Sequence, residues 1–226
     1  TLIINGIQVP DTLPSDDTVS PNTGYGLEVF PDCPTCGSAI AKAATINKVS
    51  DQTGVLATVG PTVVGDMLPI WGGELNDINY FEINGVRISN IVVQENDADR
   101  TLRNAINAVT DQTEVIASLD TDLSLILTAE DGRNIDIDFG SFEVEFFTGL
   151  YSDSFGGHLS LHSDKHFEMI FGSLDMNDAL GGLRFDAPPE TGQGYYCTYL
   201  EDPTTASTCG DNLINVNTFW DGAAWI

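Results

Sequence analysis

Residues 105–119 read AINAVTDQTEVIASL, and residues 45–59 read TINKVSDQTGVLATV; eight of the fifteen positions are identical. A phrase written twice at this spacing constrains the fold more than any composition figure. Each copy must build the same local structure, so the expected architecture is a small unit used twice.

The pattern is cleanest around the second copy. YFEINGVRIS (80–89) is two β-rich runs hinged on Asn84-Gly85, a dipeptide that tolerates the positive φ angles of a two-residue hairpin turn. NDADRTLRNAINAVTDQ (96–112) changes period: Leu102, Ile106 and Val109 recur at helical spacing, with Asn96 or Asp97 placed to cap the start. EVIASLD (114–120) returns to strand, and LSLILTAEDGRNIDIDF (123–139) reads as a second hairpin about Asp131-Gly132. The predicted unit is hairpin, helix, strand, hairpin, with one helix covering one face of a small antiparallel sheet.

The first copy repeats the hinge at Asn5-Gly6 in TLIINGIQVP (1–10), the helix in SAIAKAATINKV (38–49) with Ser38 as cap, and the strand in GVLATV (54–59). From hinge glycine to helix asparagine, the second copy takes 22 positions (Gly85 to Asn107) and the first takes 41 (Gly6 to Asn47). The excess lies in a stretch rich in Pro, Ser, Asp and Gly, which reads as an excursion loop. After Val59 no closing hairpin follows. A matching segment comes only at GGHLSLHSDKHFEMIFG (156–172). The expectation is therefore an α+β fold of two related antiparallel-sheet-plus-helix units: an outer, discontinuous unit from 1–74 and 143–226, and a second unit, 75–142, inserted into it.

These residues resemble the flagellin hook IN motif of the outer, variable domains of bacterial flagellins and of some hook-associated proteins. The resemblance rests on Ile83-Asn84-Gly85, Ala105-Ile106-Asn107 and Val115 to Ser118 in the second copy. In the first it rests on Ile4-Asn5-Gly6, Ile46-Asn47 and Gly54 to Thr58, where Thr45 replaces the motif's alanine and the long excursion interrupts the pattern. The motif residues so implied are Asn5, Gly6, Asn47, Asn84, Gly85 and Asn107. The resemblance implies a structural, non-enzymatic surface domain of an extracellular filament used in motility, with other copies of the subunit as its partners. The alternative it leaves open is a hook-associated or cap protein, or an adhesin-like module that binds surface glycans. Flagellin termini form long heptad helices, and no sustained heptad exists in this sequence. Without it, this piece alone is not expected to polymerise, and the start at TLIING without a basic-then-apolar leader fits an excised piece of a longer protein or a processed chain.

Charge limits the partners. Eight Lys plus Arg against 34 Asp plus Glu give a formal charge of −26. Phosphate backbones and anionic bilayers need clustered cations, so neither nucleic acid nor a membrane surface is an expected partner. The acidity fits either a surface kept soluble by repulsion or a salty working environment, where screening is short-ranged.

Candidate chemistry is sparse. Cys33 and Cys36, and Cys197 and Cys209, each bracket a turn-rich loop, which fits two local disulfides in an oxidising place; four cysteines permit three connectivities. A zinc site, a redox motif and free thiols are competing readings. His158, His162 and His166 form the one histidine cluster. The alternation of Leu159 and Leu161 puts them on a hairpin, where solvent-facing residues are favoured over a metal site. The acidic runs at 95–99, 120–122, 134–138 and 175–178 lack the calcium-loop pattern. Asp136 and Asp138, alternating with isoleucines, read as the wet face of a strand. Nucleophile elbows, metalloprotease helices and phosphate loops are missing, and no catalytic residue or cofactor is expected. The aromatics of GYYCTYL and TFWDGAAWI are read as packing of a disulfide-tied C-terminal flap.

Overall fold

The computed structural model describes residues 2–21, 35–65, 68–171 and 213–214. The chain divides into two compact units. One comprises Thr1–Thr18, Thr35–Gly60 and His158–Ile226; the other comprises Val19–Pro34 and Pro61–Gly157.

In the first unit, the strands Leu2–Ile4 and Ile7–Gln8 form the hairpin at Asn5-Gly6, and both turn residues have positive φ. Leu2–Ile4 also pairs with Met169–Phe171, which pairs in turn with Leu213–Ile214. A separate antiparallel pair joins Leu56–Val59 to Leu159–His162. Helix α1 (Ala39–Asn47) begins at Ser38, whose Oγ accepts the Ala41 N–H at 3.0 Å, the cap its position predicts. The helix presses Ala39, Ala43 and Ile46 into a core with Ile4, Val55, Leu159 and Phe167. The single turn α2 (Ser50–Thr53) then ends on Gly54 in the left-handed region, a glycine stop that frees the chain to enter the strand.

The second unit repeats these parts. Phe81–Ile83 and Val86–Ile88 form the Asn84-Gly85 hairpin, in a sheet ordered Asp153–Phe155, Ile135–Phe139, Phe81–Ile83, Val86–Ile88. A second sheet runs Thr62–Val64, Leu125–Ala129, Ile116–Leu119, and a ribbon pairs Gly73–Leu75 with Ile91–Val93. Helix α3 (Thr101–Asn107) buries Leu102 and Ile106 completely. Its start is capped by Asp97 from further back than a normal N-cap: the carboxylate accepts the Leu102 N–H at 2.8 Å and holds Arg103 Nε at 2.7 Å. The turn α4 (Thr110–Thr113) ends on Glu114 at φ +56, where the first copy has Gly54. Helix α5 (Glu143–Thr148) lies beyond the repeat, with Val144 and Thr148 buried.

Strand register matches between the units. Ile4 faces Met169 and Leu2 faces Phe171 in one; Ile83 faces Ile137 and Phe81 faces Phe139 in the other. Ala57 faces Leu161, and Ala117 faces Leu127.

Three expectations need correction. The closing hairpins are not hairpins: Leu125–Ala129 and Ile135–Phe139 belong to different sheets, as do Leu159–His162 and Met169–Phe171. Each strand of the second unit's pair already has both edges occupied. Leu125–Ala129 lies between Ile116–Leu119 and Thr62–Val64, and Ile135–Phe139 lies between Phe81–Ile83 and Asp153–Phe155. Alternation names the core-facing residues, and Leu125, Leu127, Ile135 and Ile137 are indeed fully buried; it does not name the neighbouring strand. The second unit also extends past 75–142 at both ends, because Thr62–Val64 and Asp153–Phe155 pair within it. Finally, Asp136 is not on a wet face. The added strand covers it, leaving 6% exposed, and Ser154 Oγ donates to its carboxylate, whereas Asp138 is exposed.

Candidate functional site

The six motif residues make two pairs of clamps. At each hinge the asparagine does two jobs. It accepts the left-handed conformation the turn requires (φ +51 at both Asn5 and Asn84), and its amide ties the turn to the unit. Asn84 Nδ2 donates to the Thr113 carbonyl at 2.9 Å while its Oδ1 accepts the Asp136 N–H at 2.8 Å. Asn5 repeats this with the Thr53 carbonyl at 2.7 Å and the Glu168 N–H at 2.8 Å. Gly6 and Gly85 hold the second positive φ, at +78 and +77.

The helix asparagines act on a strand edge. Asn107 Nδ2 donates to the Ala117 carbonyl at 3.0 Å and its Oδ1 accepts the Ala117 N–H at 2.7 Å. Asn47 makes the same pair of bonds to Ala57, at 2.9 and 2.8 Å. One side-chain amide thus stands in for a neighbouring strand at the open edge, where unpaired backbone groups would otherwise invite another chain. The clamps are structural: all eight of these side-chain bonds run to backbone groups.

The other candidates do not converge. His162 Nε2 lies 2.9 Å from Thr58 Oγ1 across the strand pair, His158 precedes that strand, and His166 is exposed beyond it. Among the described residues no three His, Cys, Asp or Glu side chains form a metal-binding group. Cys36 is buried and disulfide-bonded. Cys33, Cys197 and Cys209 lie outside the described residues, as do the acidic run 175–178 and both C-terminal aromatic runs. Lys42 occupies in α1 the position that Leu102 holds in α3, and burial pulls its ammonium down to about 8.

Asp16 anchors the start of the first unit to α1. Its carboxylate receives the Lys48 ammonium at 2.6 Å, the Leu13 N–H at 2.8 Å and the Thr45 hydroxyl at 3.0 Å. The bond to Lys48 leads the interactions that hold its pKa below the ordinary 3.8. A folded-state pKa below the unfolded one stabilises above the unfolded value and is lost as the pH falls through the folded value. Asp16→Asn is therefore expected to cost about 1–3 kcal/mol at neutral pH. The gap from wild type should close on acidification below 3.8. Urea midpoints of both proteins across that range check it; a pH-independent gap would mean that the charge contributes nothing.

One surface of the second unit was not foreseen. Trp71 and Phe142 are 63% and 69% exposed. The Trp71 ring stacks on Phe146 with centroids 5.2 Å apart, and Phe142 meets Phe146 edge-on at 5.1 Å. The Trp71 N–H donates to the Phe146 carbonyl at 3.1 Å, so the loop and α5 are held as one platform. Phe142 and Phe146 are four residues apart, one helical turn, which is the signal that could have found them.

Comparison with known proteins bears on the second copy of the repeat. Residues 81–131 match the flagellin hook IN motif. Over part of their length, bacterial flagellins are similar to this chain. It is 34% identical to flagellin A of Helicobacter felis over 192 residues, which is 84% of this chain and 34% of that protein. It is 43% identical to flagellin A of Helicobacter mustelae over 118 residues (52% of this chain, 21% of that protein). With flagellin B of Helicobacter pylori it shares 35% over 127 residues (55% and 24%). The chain thus spans about a third or less of the flagellins it matches. The family match covers the second copy of the repeat; the asparagine bonds described above recur in both units of this flagellin-like chain. Among the described residues no helix is long and apolar enough to cross a membrane.

Proposed function

We propose that this chain is the surface-exposed, variable part of a flagellin subunit, built from two hook-IN-type units, the first of which is interrupted by the second. The observation that carries the reading is the motif match at 81–131 within a chain whose relatives are flagellins. The recurrence of the Asn-Gly hinge, the helix asparagine and their backbone partners in the first unit supports the second copy. The role is structural: the domain adds bulk and charge outside the cell and touches neighbouring subunits in a filament. Local disulfides between Cys33 and Cys36, and between Cys197 and Cys209, would fasten loops that have little core of their own.

Contacts between surfaces of such acidity should weaken as salt is removed. The screening length grows from about 3 Å at 1 M to about 10 Å at 0.1 M, so repulsion between neighbours reaches further. Filaments carrying this chain are expected to dissociate at a lower temperature in dilute salt than in concentrated salt, read by light scattering during heating. A dissociation temperature independent of salt would remove the electrostatic part of the proposal. Immunogold labelling with an antibody to residues 81–131 tests the placement. Gold along the whole filament is the expected result, and gold confined to the hook junction or the tip would reassign the chain to a hook-associated or cap protein.

A further inference from the structure

The aromatic platform of the second unit has a chemistry that the filament reading does not use. On α5 and its preceding residue, Phe142 and Phe146 fall on one stripe. At 3.6 residues per turn, Glu143 and Glu145 project to either side of it. Phe142 and Glu143 are exposed, and Glu145 is half-buried. The result is an apolar, electron-rich surface made by Trp71, Phe142 and Phe146, flanked on both sides by carboxylates. Its backbone is fixed by the Trp71 N–H bond to Phe146 and by the 2.8 Å bond from the Gly149 N–H to the Glu145 carbonyl.

A few ångströms of chemistry elsewhere in the same unit indicate what such a surface takes. Arg87 lays its guanidinium over the Tyr80 ring, 3.3 Å from the centroid, and donates to the Asp77 carbonyl at 3.0 Å. Among the described residues no cation covers Trp71, Phe142 or Phe146. A planar guanidinium satisfies both halves of the platform at once. It stacks on the ring faces and donates to the flanking carboxylates, which a neutral ligand does not do.

We propose that this platform docks an arginine-bearing segment of a basic partner protein. Charge complementarity selects that occupant. A second copy of this chain is a poor candidate, because each copy carries a formal −26 and only eight Lys and Arg in total. An anionic surface would be repelled by Glu143 and Glu145. The long-range field of the acidic chain attracts a basic partner, and the rings fix where it settles.

The test uses the whole chain and a synthetic peptide, acetyl-Gly-Arg-Gly-Arg-Gly amide, with binding followed by calorimetry at low ionic strength. Backbone and indole amide NMR shifts locate the contact. Saturable binding with the largest shifts at Trp71 and α5 is expected. Trp71→Ala and Phe142→Ala should each weaken it about fivefold, the loss of roughly one cation–π contact. Glu143→Gln combined with Glu145→Gln, which keeps the size of both side chains and removes only their charge, should weaken it about as much and flatten its salt dependence. The lysine analogue of the peptide should bind less tightly. Three results would overturn the proposal: no binding of the arginine peptide, binding unchanged by all of these substitutions (adsorption to the general acidic surface), or shifts at Trp71 caused by a neutral oligosaccharide such as maltohexaose and not by the peptide. None of these bears on whether the chain sits in a filament, which the gold labelling reads separately.

Discussion

Asn84→Ala is expected to cost about 3 kcal/mol, the sum of two lost hydrogen bonds and the strain of alanine held at positive φ. The asparagine sits at φ +51 and bridges the Thr113 carbonyl to the Asp136 N–H, so it ties hairpin, helical turn and central strand together. Asn84→Gly separates the two causes. Glycine adopts the same backbone freely but makes neither bond, so it should cost about 1–2 kcal/mol, less than alanine. Urea unfolding of wild type and both variants gives the numbers. Equal losses for alanine and glycine would dismiss the backbone argument, and no loss for glycine would dismiss the clamp. Asn84→Asp keeps the turn and the bond from Asp136, but it turns an acceptor toward the Thr113 carbonyl where a donor stood. It should therefore fall nearer to alanine than to wild type.

The second large effect is at Gly149. This residue ends α5 at φ +75, and a Cβ there would lie 2.2 Å from the Leu68 carbonyl oxygen and 3.1 Å from its carbonyl carbon. Both are backbone atoms, and Leu68 is itself held by its N–H bond to the Gly149 carbonyl at 3.0 Å. Neither side can yield cheaply. Gly149→Ala is expected to cost about 3 kcal/mol or more, the strain of the conformation plus a backbone shift. Gly6 is the control: its φ is +78, but nothing lies within 4 Å of its would-be Cβ. Gly6→Ala should cost only about 1 kcal/mol. Because the loop at 68–71 is bonded to α5, Gly149→Ala should also alter the near-ultraviolet dichroism of the Trp71–Phe146 stack, while Gly6→Ala leaves it alone. If the two glycine variants lost equal stability, the close approach of Leu68 would be wrong.

These two sites differ in how far they could be read beforehand. Asn84 and Gly85 announce a hairpin through an effect that spans two residues, the steric tolerance of positive φ. The repeat of that dipeptide at Asn5-Gly6 points to the duplication as well. The second task of the asparagine, reaching Thr113 and Asp136, involves separations of 29 and 52 residues and has no local signature. Gly149 is the same case: a glycine after a short helix is unremarkable until Leu68 is placed against it. FEVEFF (142–147) alternates apolar and acidic residues with the period of a strand, yet six residues from Glu143 form a helix. Burial of Val144 and Thr148, four apart on one face, outweighs the local alternation, and the same choice exposes Phe142 and aligns it with Phe146.

What the residues alone determined is everything governed by nearest neighbours: the two Asn-Gly turns, the Ser38 cap, the helical stripe of Leu102 and Ile106, and the in-out alternation of the core strands. Those follow from sterics and hydrogen bonding within a few positions of the chain, and they suffice to define an α+β unit used twice. Which strands lie side by side was decided only in three dimensions. The burial of Asp136 beside the strand 153–155 and the gathering of Trp71 with Phe146 were decided there too. An alternating segment presents an equally good face to any partner strand, so selection among partners rests on edges, crossings and burial that distant parts of the chain supply.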